Sequence, residues 1–385
     1  MIPYGKQTIS QADIDAVVSV LRSDFLTQGS QVPAFEKAIS DYCGAKFAVA
    51  VNSATSALHI ACLALGVGQG DVVWTSPITF VASSNCAIYC GADVDFVDID
   101  PKTFNMSIDR LREKLQSAKR ENKLPKVVIP VHLCGEPCDM QAIGQLAQEF
   151  GFKVIEDASH AIGAEYHGEK VGNCAYSDIT VFSFHPVKII TTAEGGLATT
   201  NNPELANKMA QLRSHGITRN PDEMVGDSDG AWYYQQIDLG FNYRMTEMQA
   251  ALGLSQLQRL DEFVARRQIL AKQYDDLLKD LPVTLPFRQP ENRSALHLYP
   301  ILLEAKHRQQ IFDYLRSHDI GVNVHYIPVP TQPYYRKRFG FQAGDFPCAE
   351  NYYAQAMSLP LYFSLSDDEQ QQVVKNLQQA IGSLK

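Results

Sequence analysis

The chain has 385 residues, of which 45% are hydrophobic and 20% charged, a balance typical of globular proteins and unlike that of disordered ones. Its net charge of −9, without any Lys/Arg-rich block, argues against a surface built for nucleic acid or anionic membranes. The sequence shows neither a run of about 18 uncharged apolar residues nor a signal-peptide pattern, so we expect a cytoplasmic protein with reduced cysteines and no bound metal.

A helix is predicted first, because Ser10 can cap it with Asp13 at the capping-box position. The apolar residues that follow fall on one helical face: Ile14, Val17, Val18 and Leu21. From Phe47 the chain alternates β-rich runs with helical stretches, a pattern typical of a parallel α/β sheet. The β-rich runs are AVAV before residue 52, VVWTS from Val72, VDFVDI from Val94, VVIPV from Val127 and KVIED from Lys153.

Two further strands, near residues 180–184 and 196–199, follow the KVIED strand with little helix between them, so we expect a locally mixed sheet. A long helix is predicted over residues 250–278, and a proline-containing linker over 281–293 leads into a smaller α+β unit. Because 385 residues exceed what one hydrophobic core usually organises, we predict a large domain over 1–250 and a second unit over 251–385 that includes the long helix.

The segment NSATSAL, residues 52–58, follows a strand and opens a helix. Amides at a helix N-terminus carry partial positive charge, so Ala54, Thr55 and Ser56 are candidates for binding a phosphate. The alternative is an ordinary helix cap with no ligand.

Asp157 ends the KVIED strand, at the carboxyl edge where open α/β sheets bind their ligands. A carboxylate there could pair with a protonated pyridine nitrogen and keep the ring electron-withdrawing. The alternative is that Asp157 caps a helix.

Lys188 lies between apolar residues and a glycine pair in the segment SFHPVKIITTAEGG, residues 183–196. Partial burial lowers the pKa of an amine and yields the neutral nucleophile that a Schiff base requires. Ser183 could add a hydroxyl for a phosphate, whereas a structural role for His185 is at least as plausible as a chemical one. The alternative for Lys188 is a surface lysine.

Together, NSATSAL, PITFVA, VIEDASHAIG, SFHPVKIITTAEGG, RSHG and GFNYRMTEMQAALGLSQL resemble the DegT/DnrJ/EryC1/StrS sugar aminotransferase family over essentially the whole chain. The resemblance implies a fold-type I enzyme dependent on pyridoxal 5'-phosphate, like aspartate aminotransferase in fold. Such a fold has a large domain with a mostly parallel central sheet and a smaller C-terminal α+β domain.

The resemblance also implies roles for single residues. Lys188 would form the Schiff base, Asp157 would pair with the pyridine nitrogen, and Phe80 would stack on the ring. His160 would lie near the phenolic oxygen of the cofactor. The phosphate would be bound by Ala54, Thr55 and Ser183 of one copy and, across a homodimer interface, by Asn242 of the neighbouring copy.

Within the family, KIITTAEGG, HLYPILL and VHYIPV resemble the branch of pseudaminic acid biosynthesis. That branch moves an amino group from L-glutamate to C4 of a UDP-linked 4-keto-6-deoxy-N-acetylhexosamine. The implied substrate contacts are Tyr4, Asp24, Phe25, Leu26, Thr27, His325 and Tyr326. One departure is SFHPVK in place of SFHAIK, in which Pro186 stiffens the approach to the lysine without altering its amine.

Three alternatives remain at this point. An aminotransferase for another nucleotide-4-keto-sugar, such as a UDP-4-keto-pentose, would keep every cofactor residue. A sugar dehydratase on the same scaffold is disfavoured, because those relatives carry histidine in place of Lys188. A cofactor-binding regulator is disfavoured because such proteins carry an appended DNA-binding segment.

Overall fold

A computed structural model of the chain describes residues 1–384 as helices packed around one large sheet, with three small two-stranded sheets. The α-helices are α1 Gln11–Leu21, α2 Gln31–Cys43, α3 Ala54–Ala64, α4 Ala82–Tyr89, α5 Ile108–Glu121, α6 Met140–Phe150, α7 Pro203–Leu212, α8 Glu247–Leu257, α9 Leu260–Leu278, α10 Ala305–Ser317, α11 Pro333–Phe339, α12 Pro347–Gln355 and α13 Asp367–Gly382. The strands are β1 Phe47–Val51, β2 Val72–Thr75, β3 Asp93–Phe96, β4 Val127–Ile129, β5 Lys153–Asp157, β6 Glu165–Tyr166, β7 Glu169–Lys170, β8 Ile179–Ser183, β9 Gly196–Thr200, β10 Ile217–Thr218, β11 Gln235–Gln236, β12 Tyr299–Leu302 and β13 Ala356–Leu359.

The large sheet has the strand order β1-β9-β8-β5-β4-β2-β3. All of its neighbouring strands run parallel except β9, which is antiparallel to both β1 and β8. This strand arrangement confirms the predicted α/β fold class with a mostly parallel central sheet, and it confirms that the sheet is locally mixed. Because β5 and β8 are parallel neighbours, their carboxyl ends at Asp157 and Ser183 meet at the same edge.

Helix α1 begins as predicted, with the Ser10 and Asp13 side chains forming a capping box. The Asp13 carboxylate is fully buried and also binds Arg259 at 2.6 Å, which ties α1 to the start of α9. The predicted apolar face of α1 is not fully buried, because Ile14 and Leu21 are exposed in the single chain. Buried Val20 lies outside that set.

The long helix predicted over residues 250–278 is in fact two helices, α8 and α9, separated at Gln258 and Arg259. Arg259 departs from helical backbone angles, with φ −109° and ψ 7°, and its guanidinium reaches the Asp13 carboxylate. The apolar periodicity continues through this break, which is why the sequence pattern did not reveal it.

The C-terminal segment has a hydrophobic core of its own, built on α9, α10, α13 and the β12–β13 pair. Ile2 joins this core, and its backbone pairs with Asp319 and Gly321. We propose that the chain divides near residue 250, with this separate core as the support. Arg267 of α9, 2% exposed, donates to the carbonyls of residues 296, 297 and 361 and so ties α9 to other segments of the second unit. Within residues 1–384, no helix is both long and apolar enough to cross a bilayer.

Candidate active site

A cavity of about 960 Å³ opens at the carboxyl edge of the sheet and brings the three predicted segments together. Its wall is completed by the N-terminus and by residues 323–326 of the second unit. The predicted site residues that line it are Tyr4, Ala54, Thr55, Ser56, Phe80, Asp157, His160, Ser183, Lys188, His325 and Tyr326. His185, which sequence reasoning left out, lines it as well.

Lys188 lies in the turn that follows β8, where its N–H donates to the His185 carbonyl at 2.9 Å. Its side chain is partly buried and contributes to the cavity wall. Burial lowers the pKa of the Lys188 amine to about 8, although the Asp157 carboxylate acts in the opposite direction. Lys188 is therefore not the surface lysine of the alternative reading.

Asp157 is 4% exposed and faces the cavity from the last position of β5. One carboxylate oxygen accepts the Ser83 hydroxyl at 2.6 Å and the other accepts the Ser159 N–H at 3.1 Å. No helix follows within residues 158–164, so Asp157 does not cap one. Successive side chains of a strand point to opposite faces, so the preceding residue, Glu156, points away from Asp157. Its carboxylate forms a hydrogen bond with His132 at 2.8 Å.

The start of α3 presents backbone amides to the cavity. Ser53 caps the helix by accepting the Ser56 N–H at 3.1 Å, and the Ser56 hydroxyl donates to Asn52 at 2.7 Å. The N–H and the hydroxyl of Ser56 thus both donate to neighbouring residues of the same segment, and the predicted contact of Ser56 with a phosphate stays a prediction. The amides of Ala54 and Thr55 belong to the first turn, where helix geometry gives them no carbonyl partner.

Gly196 of β9 is what allows α3 to start so close to the sheet. A Cβ atom at residue 196 would lie 2.4 Å from backbone atoms of Ser53 and Ala54, far inside van der Waals contact. The second glycine of the pair recognised in the sequence therefore has a steric role in shaping the start of α3.

Aromatic side chains line part of the cavity, among them Phe80, His160, His325 and Tyr326. Burial and the nearby Lys188 amine lower the pKa of His160 far below its usual value and that of His325 to about 4. Phe80 is 60% exposed at the cavity, with its ring centroid 6.4 Å from that of Tyr326. A flat aromatic ligand could therefore lie against Phe80.

Several lining residues were missed by sequence reasoning: Asn52, Thr79, Glu194, Gln249 and Asn323. Gln249 donates to the Glu194 carbonyl at 2.7 Å, which joins α8 to the loop before β9. Only one sequence signal pointed to Gln249: it occupies position N3 of α8 and completes a capping box with Thr246, the N-cap residue.

Residues 24–27 and Asn242 lie outside this cavity in the single chain. The Leu26 carbonyl accepts the Glu247 N–H at 3.1 Å, and the side chains of Phe25 and Leu26 are exposed. Asn242 forms an isolated bridge with Ser214. Their predicted roles in ligand binding stay predictions; for Asn242 the predicted role is in the cavity of a neighbouring copy.

Residues 7–378 match the DegT/DnrJ/EryC1/StrS aminotransferase family. The spore coat polysaccharide biosynthesis protein SpsC of Bacillus subtilis is 41% identical over 380 residues, 97% of this chain and 95% of that protein. The UDP-4-amino-4,6-dideoxy-N-acetyl-beta-L-altrosamine transaminase of Campylobacter jejuni serotype O:23/36 is 38% identical over 366 residues, 94% of this chain and 93% of that protein. The structure of Helicobacter pylori PseC, an aminotransferase involved in the biosynthesis of pseudoaminic acid, superposes with a TM-score of 0.91 at 31% identity, covering 100% of both chains.

Replacing Gly196 with Ala should lower the free energy of unfolding by about 1–3 kcal/mol, because the added Cβ collides with the start of α3. Affinity for pyridoxal phosphate should also fall, by about tenfold or more, since the displaced amides no longer converge on a phosphate. Denaturant unfolding and absorbance titration measure the two effects. Gly68→Ala is the matched control, because its Cβ meets open space; equal behaviour of the two variants would contradict the steric role.

Proposed function

The chain belongs to the DegT/DnrJ/EryC1/StrS aminotransferase family, and from that premise we propose that it moves an amino group from L-glutamate to C4 of a UDP-linked 4-keto-6-deoxy-N-acetylhexosamine. It is a pyridoxal-phosphate-dependent sugar aminotransferase. The proposed product is UDP-4-amino-4,6-dideoxy-N-acetyl-β-L-altrosamine, and the Campylobacter jejuni and Helicobacter pylori relatives support this choice. The observation that carries the chemistry is that the partly buried Lys188 and the Asp157 carboxylate line the same cavity.

Bound pyridoxal phosphate supplies an aldehyde that condenses with amines and a ring that withdraws electrons from the carbon beside the nitrogen. In our proposal Lys188 is the amine that holds it. With a pKa of about 8, about one Lys188 amine in ten is neutral at pH 7, against about one in three thousand at the ordinary value of 10.5. Lys188 Nζ would also hold the proton taken from Cα of glutamate, a role that requires it to stay within reach.

Asp157, buried and held by Ser83 and Ser159, would bind the protonated ring nitrogen. An anion fixed in this way favours the charged form of its partner. The amides of Ala54 and Thr55 with the Ser183 hydroxyl would bind the phosphate. These assignments are supported by the residues' shared cavity and by the chemistry of their donors.

We further propose a homodimer with composite sites, in which residues 24–27 and Asn242 of one copy serve the cavity of the other. Exposed apolar side chains in both regions support this, because a solvent-facing role would not require them. In the loop before Asn242, Val225, Trp232 and Leu239 are exposed by 83%, 73% and 75%.

Tyr4 and His325 remain the proposed sugar contacts within the same chain. We expect the enzyme in the cytoplasm, consistent with eight cysteines that are all free.

A second candidate is amination of another nucleotide-4-keto-sugar, such as a UDP-4-keto-pentose. The observation that favours it is the SpsC relative, whose name refers to spore coat polysaccharide biosynthesis without naming altrosamine and whose identity of 41% exceeds the 38% of the transaminase. Both candidates require the same cofactor residues, so only the sugar distinguishes them.

Borohydride reduction of the protein with pyridoxal phosphate should attach the cofactor to Lys188, as read by peptide mass spectrometry. Lys188→Ala should lose both the label and transamination, since no other lysine among residues 1–384 lines the cavity. Lys279→Ala, which removes an exposed lysine outside the cavity, should keep both. Labelling of a different lysine in the unaltered protein would contradict the assignment.

Incubation with glutamate and each candidate UDP-keto-sugar, followed by product identification, tests the substrate. We expect turnover of the 4-keto-6-deoxy-N-acetylhexosamine with release of 2-oxoglutarate. Exclusive turnover of the keto-pentose would overturn the proposed sugar and leave the family unaffected.

A further inference from the structure

The proton on His160 is fixed by a backbone amide. The N–H of Cys134 donates to Nδ1 of His160 at 3.2 Å, so Nδ1 must be an unprotonated acceptor. The imidazole proton therefore lies on Nε2. Gly135 keeps this turn against the histidine, because a Cβ there would lie 2.9 Å from the His160 carbonyl and 2.8 Å from the Leu296 nitrogen.

A second proton on His160 is disfavoured by its surroundings. The ring is buried, and the ring of His297, itself 3% exposed, lies 4.4 Å away. Burial and the Lys188 amine lower the pKa of both histidines far below the usual value. His160 thus remains a neutral ring with one donor and one acceptor.

The donor of His160 determines the orientation of the hydroxyl of Tyr326. Nε2 lies 3.1 Å from Tyr326 Oη and carries the proton, so the tyrosine oxygen is the acceptor in this bond. The hydroxyl hydrogen of Tyr326 must then point elsewhere. Within residues 1–384 it has no second protein partner, and Tyr326 lines the cavity beside Lys188. A hydrogen-bond donor is therefore directed into the cavity.

We propose that Tyr326 is a catalytic residue whose hydroxyl donates to the oxygen at the carbon that exchanges its amino group. His160 and the Cys134 amide are positioning residues that direct this donor. The inference rests on the proposed function, because it assumes an amine–ketone exchange in this cavity. Tyr326 would thus contact the reacting oxygen itself and not only the body of the sugar.

The exchange explains why such a donor matters. When an amine condenses with a ketone, a carbon–nitrogen bond replaces the carbon–oxygen bond, and the oxygen leaves as water with two hydrogens from the amine. Negative charge develops on that oxygen as the nitrogen attacks, and a directed donor stabilises it. Glutamate passes through the same exchange in reverse, so Tyr326 would act in both half-reactions.

Tyr326→Phe tests this directly, with each half-reaction followed separately by absorbance in a single turnover. We expect both to slow by about 100-fold, the loss typical of one such donor, with the resting spectrum and the affinity for UDP unchanged. Tyr335→Phe is the matched control, because that hydroxyl is bound to Ser84 and Asn85.

The other outcomes contradict the inference in different ways. Slowing of the sugar half-reaction alone would mean that Tyr326 binds another group of the sugar, and a shifted resting spectrum would mean that it binds the cofactor. Unchanged rates would remove any role for its hydroxyl. If the unaltered protein does not react with glutamate, the proposed function fails instead.

The positioning role has its own test, which does not depend on activity. Nitrogen-15 NMR of histidine-labelled protein should show His160 protonated on Nε2 and unprotonated on Nδ1 from pH 6 to pH 8, with its signals identified by their loss in His160→Gln. A proton on Nδ1, or on both nitrogens, would overturn the proposed direction of the hydrogen bonds.

Discussion

The partial burial of one amine, that of Lys188, is the constraint on which the site depends. An ammonium group deprived of water favours its neutral form, whereas the Asp157 carboxylate in the same cavity favours the charged one. The balance leaves an amine that ionises close to neutral pH. The sheet produces this arrangement because β5 and β8 are parallel neighbours, so the segments that follow Asp157 and Ser183 start side by side.

The buried histidines near Lys188 are kept neutral, so they add no positive charge beside its amine. Two buried histidines line the cavity, His160 and His325, and a third, His297, packs against His160. Burial is the main cause of the lowered pKa of each. A neutral histidine can donate on one side and accept on the other. The second unit contributes two of the three, and Arg267 of the same unit fixes the backbone at one of them by donating to the His297 carbonyl.

The sequence predicted the parts of the site that depend on local pattern. A strand that ends in Asp157 and a lysine just beyond another strand could be recognised from apolar runs and from their flanking residues. Contacts between distant segments could not: Cys134 and His160 are 26 positions apart, and His160 and Tyr326 are 166 apart. The break between α8 and α9 was hidden because the apolar periodicity continues through it, and the Arg259 contact with Asp13 that accompanies it joins distant segments.

The pH dependence of the reaction between Lys188 and pyridoxal phosphate tests the central claim most directly. The initial rate of cofactor attachment, followed by absorbance with cofactor-free protein, should rise about tenfold between pH 6 and pH 7 and approach a plateau above pH 8, because only the neutral amine reacts. A rate that keeps rising through pH 10 would show an ordinary lysine pKa and would contradict the account.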